Sequence, residues 1–330
     1  MSKQSKYVWM NGALVDFQAA QVHFLTAGLH YGIGVFEGIR CYDTDSGPAV
    51  FRLKDHMIRL AQSASTLGWR SLPYSVEDLS AAVKEVVRAN EFGDCYIRPV
   101  IYLAEGGWNL SLDTGTPHVG IAAWKWDAFL GKDALEKGVR ANTSSFTRHH
   151  PNITMTKAKI CGNYVNSVLA KTESVRLGFD EAIMLDPEGY VAECTGENLF
   201  LARKGIVYTT PSAGILEGIT RDSLISLARD LGYTVIEQPV SRDQLYFADE
   251  VFVSGTAAEV IALREIDFRK IGTGETGPIT RRLQRAFSKA VRGQHKLSAN
   301  WLDYVKAERL PVVSEPVAEE EGRGRVAEAN

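Results

Sequence analysis

Cysteine is sparse and scattered in this 330-residue chain: Cys41, Cys95, Cys161 and Cys194 form no Cys-x-x-Cys and no Cys/His cluster. That argues against structural zinc and fits reduced thiols in a cytosol. An excess of one charge is lacking too. A net charge of −3 offers no electrostatic case for nucleic acid or an anionic membrane as partner. No apolar run approaches membrane-spanning length, and the N-terminal MSKQSKYVW has no apolar signal region. Internal repeats are absent. What remains, 45% hydrophobic and 23% charged residues, is the make-up of an ordinary globular protein of one large domain or two smaller ones. The expectation is a soluble, cytoplasmic protein without metal.

Local patterns divide the chain. A hairpin is predicted over 7–17, closed by Asn11-Gly12. Strands follow over 31–41 and 50–53, then a helix over 55–67 with Met57, Leu60, Ala61, Ala64 and Leu67 in one apolar stripe. Ser75 opens a second helix, and strands follow over 95–103 and 118–124. Antiparallel strands with two helices make an α+β unit, the N-terminal domain of residues 1–123. Residues 124–134, which include WKWDAFLG, read as an interdomain connection whose aromatics plug a seam or line a site. A second domain over 135–306 carries helices over 163–177, 220–231 and 280–292 and strands over 181–185, 190–194, 198–202, 206–209 and 251–253. Ser241 and Gln244 form a capping box. Residues 307–330 lack periodicity and are expected to form a disordered tail.

The chemistry-bearing stretch is 153–167, ITMTKAKICGNYVNS, with Lys157 and Lys159 just ahead of Gly162-Asn163-Tyr164 and a clean helix. Two lysines in a polar loop are ordinarily two solvated charges. The alternative is that one is a buried amine able to lose its proton, attack a carbonyl and form a Schiff base. Gly218 before Thr220, expected as N-cap, suits a backbone that approaches an anion. Ser254-Gly255-Thr256-Ala257-Ala258 at a strand end suits a phosphate again. Gly272-Thr273-Gly274-Glu275-Thr276-Gly277 matches a dinucleotide fingerprint, but Pro278 follows and no βαβ unit can be built there, so it reads as a surface turn. Alternation over 95–103 puts Tyr96, Arg98, Val100 and Tyr102 on one face, either solvated or binding a carboxylate. Glu193 ends a strand after an apolar run, where a carboxylate is costly unless paired. Taken together, a lysine, anion-binding turns, an arginine and a carboxylate describe a pyridoxal phosphate site.

HYGIGVFEGIR (30–40), YIRP (96–99), KICGNY (159–164), AECTGENLF (192–200), LEGITRD (216–222) and ADEVFVSGTAAE (248–259) carry a resemblance over about residues 7–305. The chain resembles the branched-chain amino acid aminotransferases, fold-type IV (D-alanine aminotransferase-like) pyridoxal phosphate enzymes. The resemblance implies a two-domain α/β fold with a smaller N-terminal domain and a larger pseudo-barrel that binds the cofactor. It implies Lys159 as the Schiff-base lysine, with Tyr164 on the cofactor phenolate, Glu193 on the pyridine nitrogen and Arg59 on the phosphate. Leu216, Ile219, Thr220 and Thr256 would complete the cofactor contacts. Phe36, Gly38, Trp126 and Phe129 would wall the side-chain pocket, Tyr96, Thr256 and Ala257 would hold the α-carboxylate, and Tyr31 and Arg98 the distal carboxylate of glutamate. Many bacterial relatives have tyrosine at Phe129. The implied reaction is ping-pong transamination of leucine, isoleucine or valine with 2-oxoglutarate, in a homodimer or an oligomer of dimers, Tyr31 coming from the neighbouring subunit. Rival readings are a D-amino acid or amine transaminase, an aminodeoxychorismate lyase, and a non-enzymatic oligomer that uses the aromatic run as an interface.

Overall fold

The computed structural model describes residues 5–306 except 70, 107, 113–114, 127–129 and 131–132. Phe129, part of the aromatic run and the 307–330 tail therefore lie outside the described residues. Two sheets organise the rest. The first is antiparallel, in the order Leu302–Tyr304, Ala49–Phe51, Ile39–Tyr42, Cys95–Glu105, Thr116–Trp124, Tyr7–Met10 and Ala13–Asp16, with Gly34–Phe36 also on Cys95–Glu105. The hairpin is as the Asn-Gly turn predicts, with Asn11 and Gly12 both at positive φ. On this sheet pack the helices Leu53–Thr66 and Val76–Ala89, and Leu53, Met57, Leu60 and Ala64 share a core with Ile97, Ile101, Leu103 and Ile121. Ser75 and Asp78 form a reciprocal cap that starts the second of these helices.

Instead of one strand over 31–41 there are two, with a break at Glu37-Gly38. The cause lies opposite. Pro99 sits in the neighbouring strand, has no N–H to donate, and accepts only the Glu37 N–H at 3.0 Å. Register is kept across the break, so the Glu37 side chain lies on the buried face between Val35 and Ile39.

The second sheet is mixed. Its order is Val191–Cys194, Glu181–Leu185, Val139–Thr143, Glu259–Ile266, Glu250–Gly255, Asn198–Arg203, Ile206–Thr209 and Val235–Glu237. Val139–Thr143 pairs in parallel with both Glu259–Ile266 and Glu181–Leu185. The helices Ile219–Asp230 and Pro278–Val291 cover it, and Phe51 of the first sheet packs edge-on against Phe287 and Trp301. The fingerprint-like glycines end in Gly277, the N-cap of Pro278–Val291. Its first-turn N–H groups of Ile279 and Thr280 are taken by Glu250 at 2.9 and 2.8 Å, so that helix end is closed to a nucleotide. Among the described residues no helix is long and apolar enough to cross a membrane.

Candidate active site

Between the sheets lies a cavity of about 580 Å³ lined by residues of both. Lys159 enters it from a loop stitched to the first sheet. The Lys159 carbonyl accepts from Phe36 N at 3.0 Å, and its N–H donates to Ser63 Oγ at 3.0 Å. Ser63 belongs to the same helix as Arg59, so one element sets the position of both cations. The Lys159 Nζ hydrogen-bonds Tyr164 Oη and lies 4.9 Å from the ring centres of Phe36 and Tyr164. Lys157 is exposed instead. Its Nζ is held by the Ser212 carbonyl and by Glu217 Oε1 at 2.7 Å.

Arg59 lines the cavity with its guanidinium already half used. Nε and Nη2 donate to Glu37 at 2.6 and 2.9 Å, and Nη1 donates to the Glu217 carbonyl at 2.7 Å. Two of the five N–H donors have no partner among the described residues. Glu37 is fully buried and also meets His56 Nδ1 at 2.7 Å. Burial alone would raise its carboxyl pKa, but Arg59 and His56 more than reverse this and hold it well below the usual range. At His56 burial is the largest cause and lowers the imidazole pKa, against the pull of Glu37. Neither Glu37 nor His56 stood out in the sequence. The helix expected to start after Thr220 has Gly218 as its N-cap and begins at Ile219. Among the described residues no side chain caps it, and Ile219 and Thr220 line the cavity. A Cβ at Gly218 would lie 1.9 Å from Asn198 Oδ1, which accounts for the glycine.

Glu193 is not at an exposed strand end; it is 5% exposed and paired. Arg148 Nε lies 2.8 Å from Oε1, while Asn198 Nδ2 and Leu216 N donate to Oε2 at 3.1 and 3.3 Å. Burial raises its pKa, against the pull of Arg148, the Leu216 N–H and Lys159. Arg148 lies in a loop without periodicity, and sequence reasoning missed it.

Along Cys95–Glu105, Tyr96, Arg98 and Val100 face the cavity and the alternate residues are core, as the period-2 pattern requires. Arg98 Nη2 donates to Tyr96 Oη at 3.1 Å, and its guanidinium carbon lies 4.6 Å from the Phe36 ring centre. Gly38 makes room for Tyr96: a Cβ there would stand 2.0 Å from its hydroxyl. Trp126, Leu216, Thr256 and Ala257 also line the cavity. Tyr31 does not. It is 45% exposed, on the surface against His30 and Trp108.

These groups fit pyridoxal phosphate. An uncapped helix end and two spare Arg59 N–H groups suit a phosphate, the Ser254 Oγ is buried with no partner among the described residues, and a lysine amine stands in the same space. Comparison with known proteins agrees. The family model of amino-transferase class IV matches residues 34–266. The branched-chain-amino-acid aminotransferase of Pseudomonas aeruginosa is 46% identical over 306 residues, 93% of this chain and 99% of that protein. Two solved structures of the T.th. branched-chain amino acid aminotransferase superpose closely. The complex with N-(5'-phosphopyridoxyl)-L-glutamate has a TM-score of 0.88 at 48% identity, and that with 4-methylvaleric acid 0.87 at 47%. Each covers 92% of this chain and 100% of its own. With the family model over more than half of its length and such identity over nearly all of it, the chain belongs to the class IV aminotransferases.

Proposed function

We infer that this protein is a branched-chain-amino-acid aminotransferase that uses pyridoxal 5'-phosphate and passes the amino group of leucine, isoleucine or valine to 2-oxoglutarate. The observation that carries the reading is that one cavity gathers Lys159, the Glu193–Arg148 pair, Arg59 and an open helix end. When bound, the cofactor supplies an aldehyde for the amine and a ring that takes up the charge left as the α-proton departs. The chain's own residues do the rest. Arg59, Ile219, Thr220 and Thr256 would hold the phosphate, with Leu216 beside them, and Glu37 keeps Arg59 in place. Glu193, paired with Arg148, would face the ring nitrogen. Lys159 Nζ, oriented by Tyr164 Oη, takes the α-proton and returns it on the far side of the exchange. The amino donor leaves as its 2-oxo acid before 2-oxoglutarate enters, the order of a ping-pong reaction.

The substrate end is apolar with one cation. Phe36 and Trp126 suit an aliphatic chain, Tyr96, Thr256 and Ala257 suit the α-carboxylate, and Arg98 serves the distal carboxylate of glutamate. The two solved complexes, one with a glutamate adduct and one with an aliphatic carboxylate, support this double use. Arg98→Ala is therefore expected to slow the 2-oxoglutarate half-reaction by about 100-fold or more and the leucine half-reaction by less than about tenfold. A carboxylate left unpaired in a partly dry pocket costs about 3 kcal/mol or more, while leucine brings no second charge. Single-turnover kinetics on each half-reaction separates the two; equal losses would assign Arg98 to the strand or the α-carboxylate. Gly38→Ala acts on Tyr96, which is wedged against Trp124 and Trp126 with ring centres at 5.1 and 4.7 Å. Losing its hydrogen bond to a charged ligand should raise KM for both substrates about 10- to 100-fold, and the forced shift of a wedged ring should also lower the melting temperature. An unchanged KM would show that Tyr96 does not touch substrate.

The same reading takes a second copy of the chain as partner. Phe24, Leu25, Leu29, Tyr31, Trp108 and Leu110 are exposed, and Phe24, Tyr31 and Trp108 meet around His30, an apolar surface of the kind that a partner covers. Sedimentation of the purified protein tests it, with a dimer or larger species as the expected result.

A further inference from the structure

Glu193 is one of three buried carboxyls at this end of the cavity, and the three are not equally provided for. Glu193 has Arg148 and two N–H donors, as above. Glu181 is fully buried; Lys171 Nζ binds its Oε2, while Ala182 N and Thr195 Oγ1 donate to its Oε1 at 2.8 and 2.5 Å. Glu197 is 3% exposed and lines the cavity, yet its Oε2 accepts only the Gly196 N–H at 3.2 Å and its Oε1 has no partner among the described residues. The Thr195-Gly196 turn holds it close to Glu193, since Cys194 N donates to the Glu197 carbonyl at 2.8 Å. Three carboxyls thus face two engaged cations, Arg148 and Lys171, with Lys159 pulling on Glu193. An ionised, cationless carboxylate is the costliest member to keep.

We propose that Glu197 is a positioning residue that stays protonated at neutral pH, its hydroxyl free to donate into the cavity, so that Glu193 alone sets the negative charge facing the ring nitrogen. This rests on the reading of Glu193 given above. Burial first, then Glu181, pushes the Glu197 carboxyl up to about 8, against Lys171 and the Gly196 N–H. The nearby Cys194 thiol is also pushed up, chiefly by burial, and stays neutral. Ionised, Glu197 would add a second negative charge beside a ring that must itself accept negative charge, and the reaction would slow. The native state holds this proton more tightly than the unfolded chain does. Its contribution to stability is therefore complete at acid pH and is lost as pH rises from the ordinary carboxylate range through about 8.

The test compares wild type with Glu197→Gln, which keeps the shape and cannot ionise. In holoenzyme, the single-turnover rate with leucine should fall about tenfold as pH rises past the Glu197 titration, the size expected of one added charge nearby, and the variant should keep its neutral-pH rate. In apoprotein, infrared titration should show a protonated-carboxyl C=O band that vanishes over the same range and is missing from the variant. A wild type without that band, or a variant with the wild-type alkaline fall, overturns the proposal. Should the variant not fold, the band in wild-type protein carrying isotope-labelled glutamate decides. Glu193→Gln run in parallel separates the layers: near-normal turnover there would sink the Glu193 reading itself, whereas a slow Glu193→Gln beside an unaltered Glu197→Gln profile removes only Glu197.

Discussion

Lys159→Ala is expected to lower transamination by about four orders of magnitude, the upper range for a positioned proton-transfer group, and to abolish the visible absorbance of the lysine-bound cofactor. Lys157→Ala is expected to keep both. The two amines differ by two positions in sequence but live in different surroundings. The Lys159 Nζ is half-buried between two aromatic rings and shares a hydrogen bond with Tyr164. Lys157 spends its charge on Glu217 and the Ser212 carbonyl outside the reacting space. Lys171 also borders the cavity, but its amine is tied to the buried Glu181 and to the Asp180 carbonyl, so it does not replace Lys159. The measurements are the absorption spectrum of purified protein and one half-reaction with leucine. Retention of colour and rate in Lys159→Ala, with loss in Lys157→Ala, would reverse the assignment.

Glu193→Gln is expected to retain cofactor yet reduce kcat by about 10²- to 10³-fold, the usual consequence of losing one preorganised electrostatic contact. The amide keeps the volume and can still accept from Leu216 N. It cannot hold a ring nitrogen protonated, and that interaction matters most when the ring accepts charge. The loss should therefore fall on kcat and on kcat/KM about equally. Arg148 is left buried without its anion, so the variant should also melt lower than wild type. The pH dependence has a defined sign. Burial raises the Glu193 pKa, so in wild type the acid-side loss of rate should begin nearer neutrality than for an exposed glutamate. Glu193→Gln should lack that limb. An unchanged kcat in the variant would remove Glu193 from the ring nitrogen.

Much of the site is legible because its parts lie in short segments. Lys159 and Tyr164, five positions apart, share a loop and a helix start; Ile219 and Thr220 lie one after the other. Glu193 stands out because a carboxylate after an apolar run demands a partner. The same argument applies to Glu37 within VFEGI and to Glu197 after Thr195-Gly196, neither of which the sequence reading singled out. Arg148 has no comparable signal: its value comes from a contact with a residue 45 positions away in the sequence. The strand Glu259–Ile266 was not predicted, although its EVIALREI run is rich in β-branched and apolar residues.

By itself the sequence determined the elements whose causes are local. The Asn11-Gly12 hairpin, the caps at Ser75 and Ser241, the apolar stripe of Leu53–Thr66 and the two faces of Cys95–Glu105 each depend on neighbours a few residues away. Tertiary structure decided the rest. It broke the strand opposite Pro99, it brought Arg59 to the buried Glu37, and it added Leu302–Tyr304 to the edge of the first sheet. It also chose which carboxyl would go without a cation. These outcomes depend on burial and on distances between residues far apart in the chain, and a carboxylate's state follows from the charges and dipoles that folding places around it.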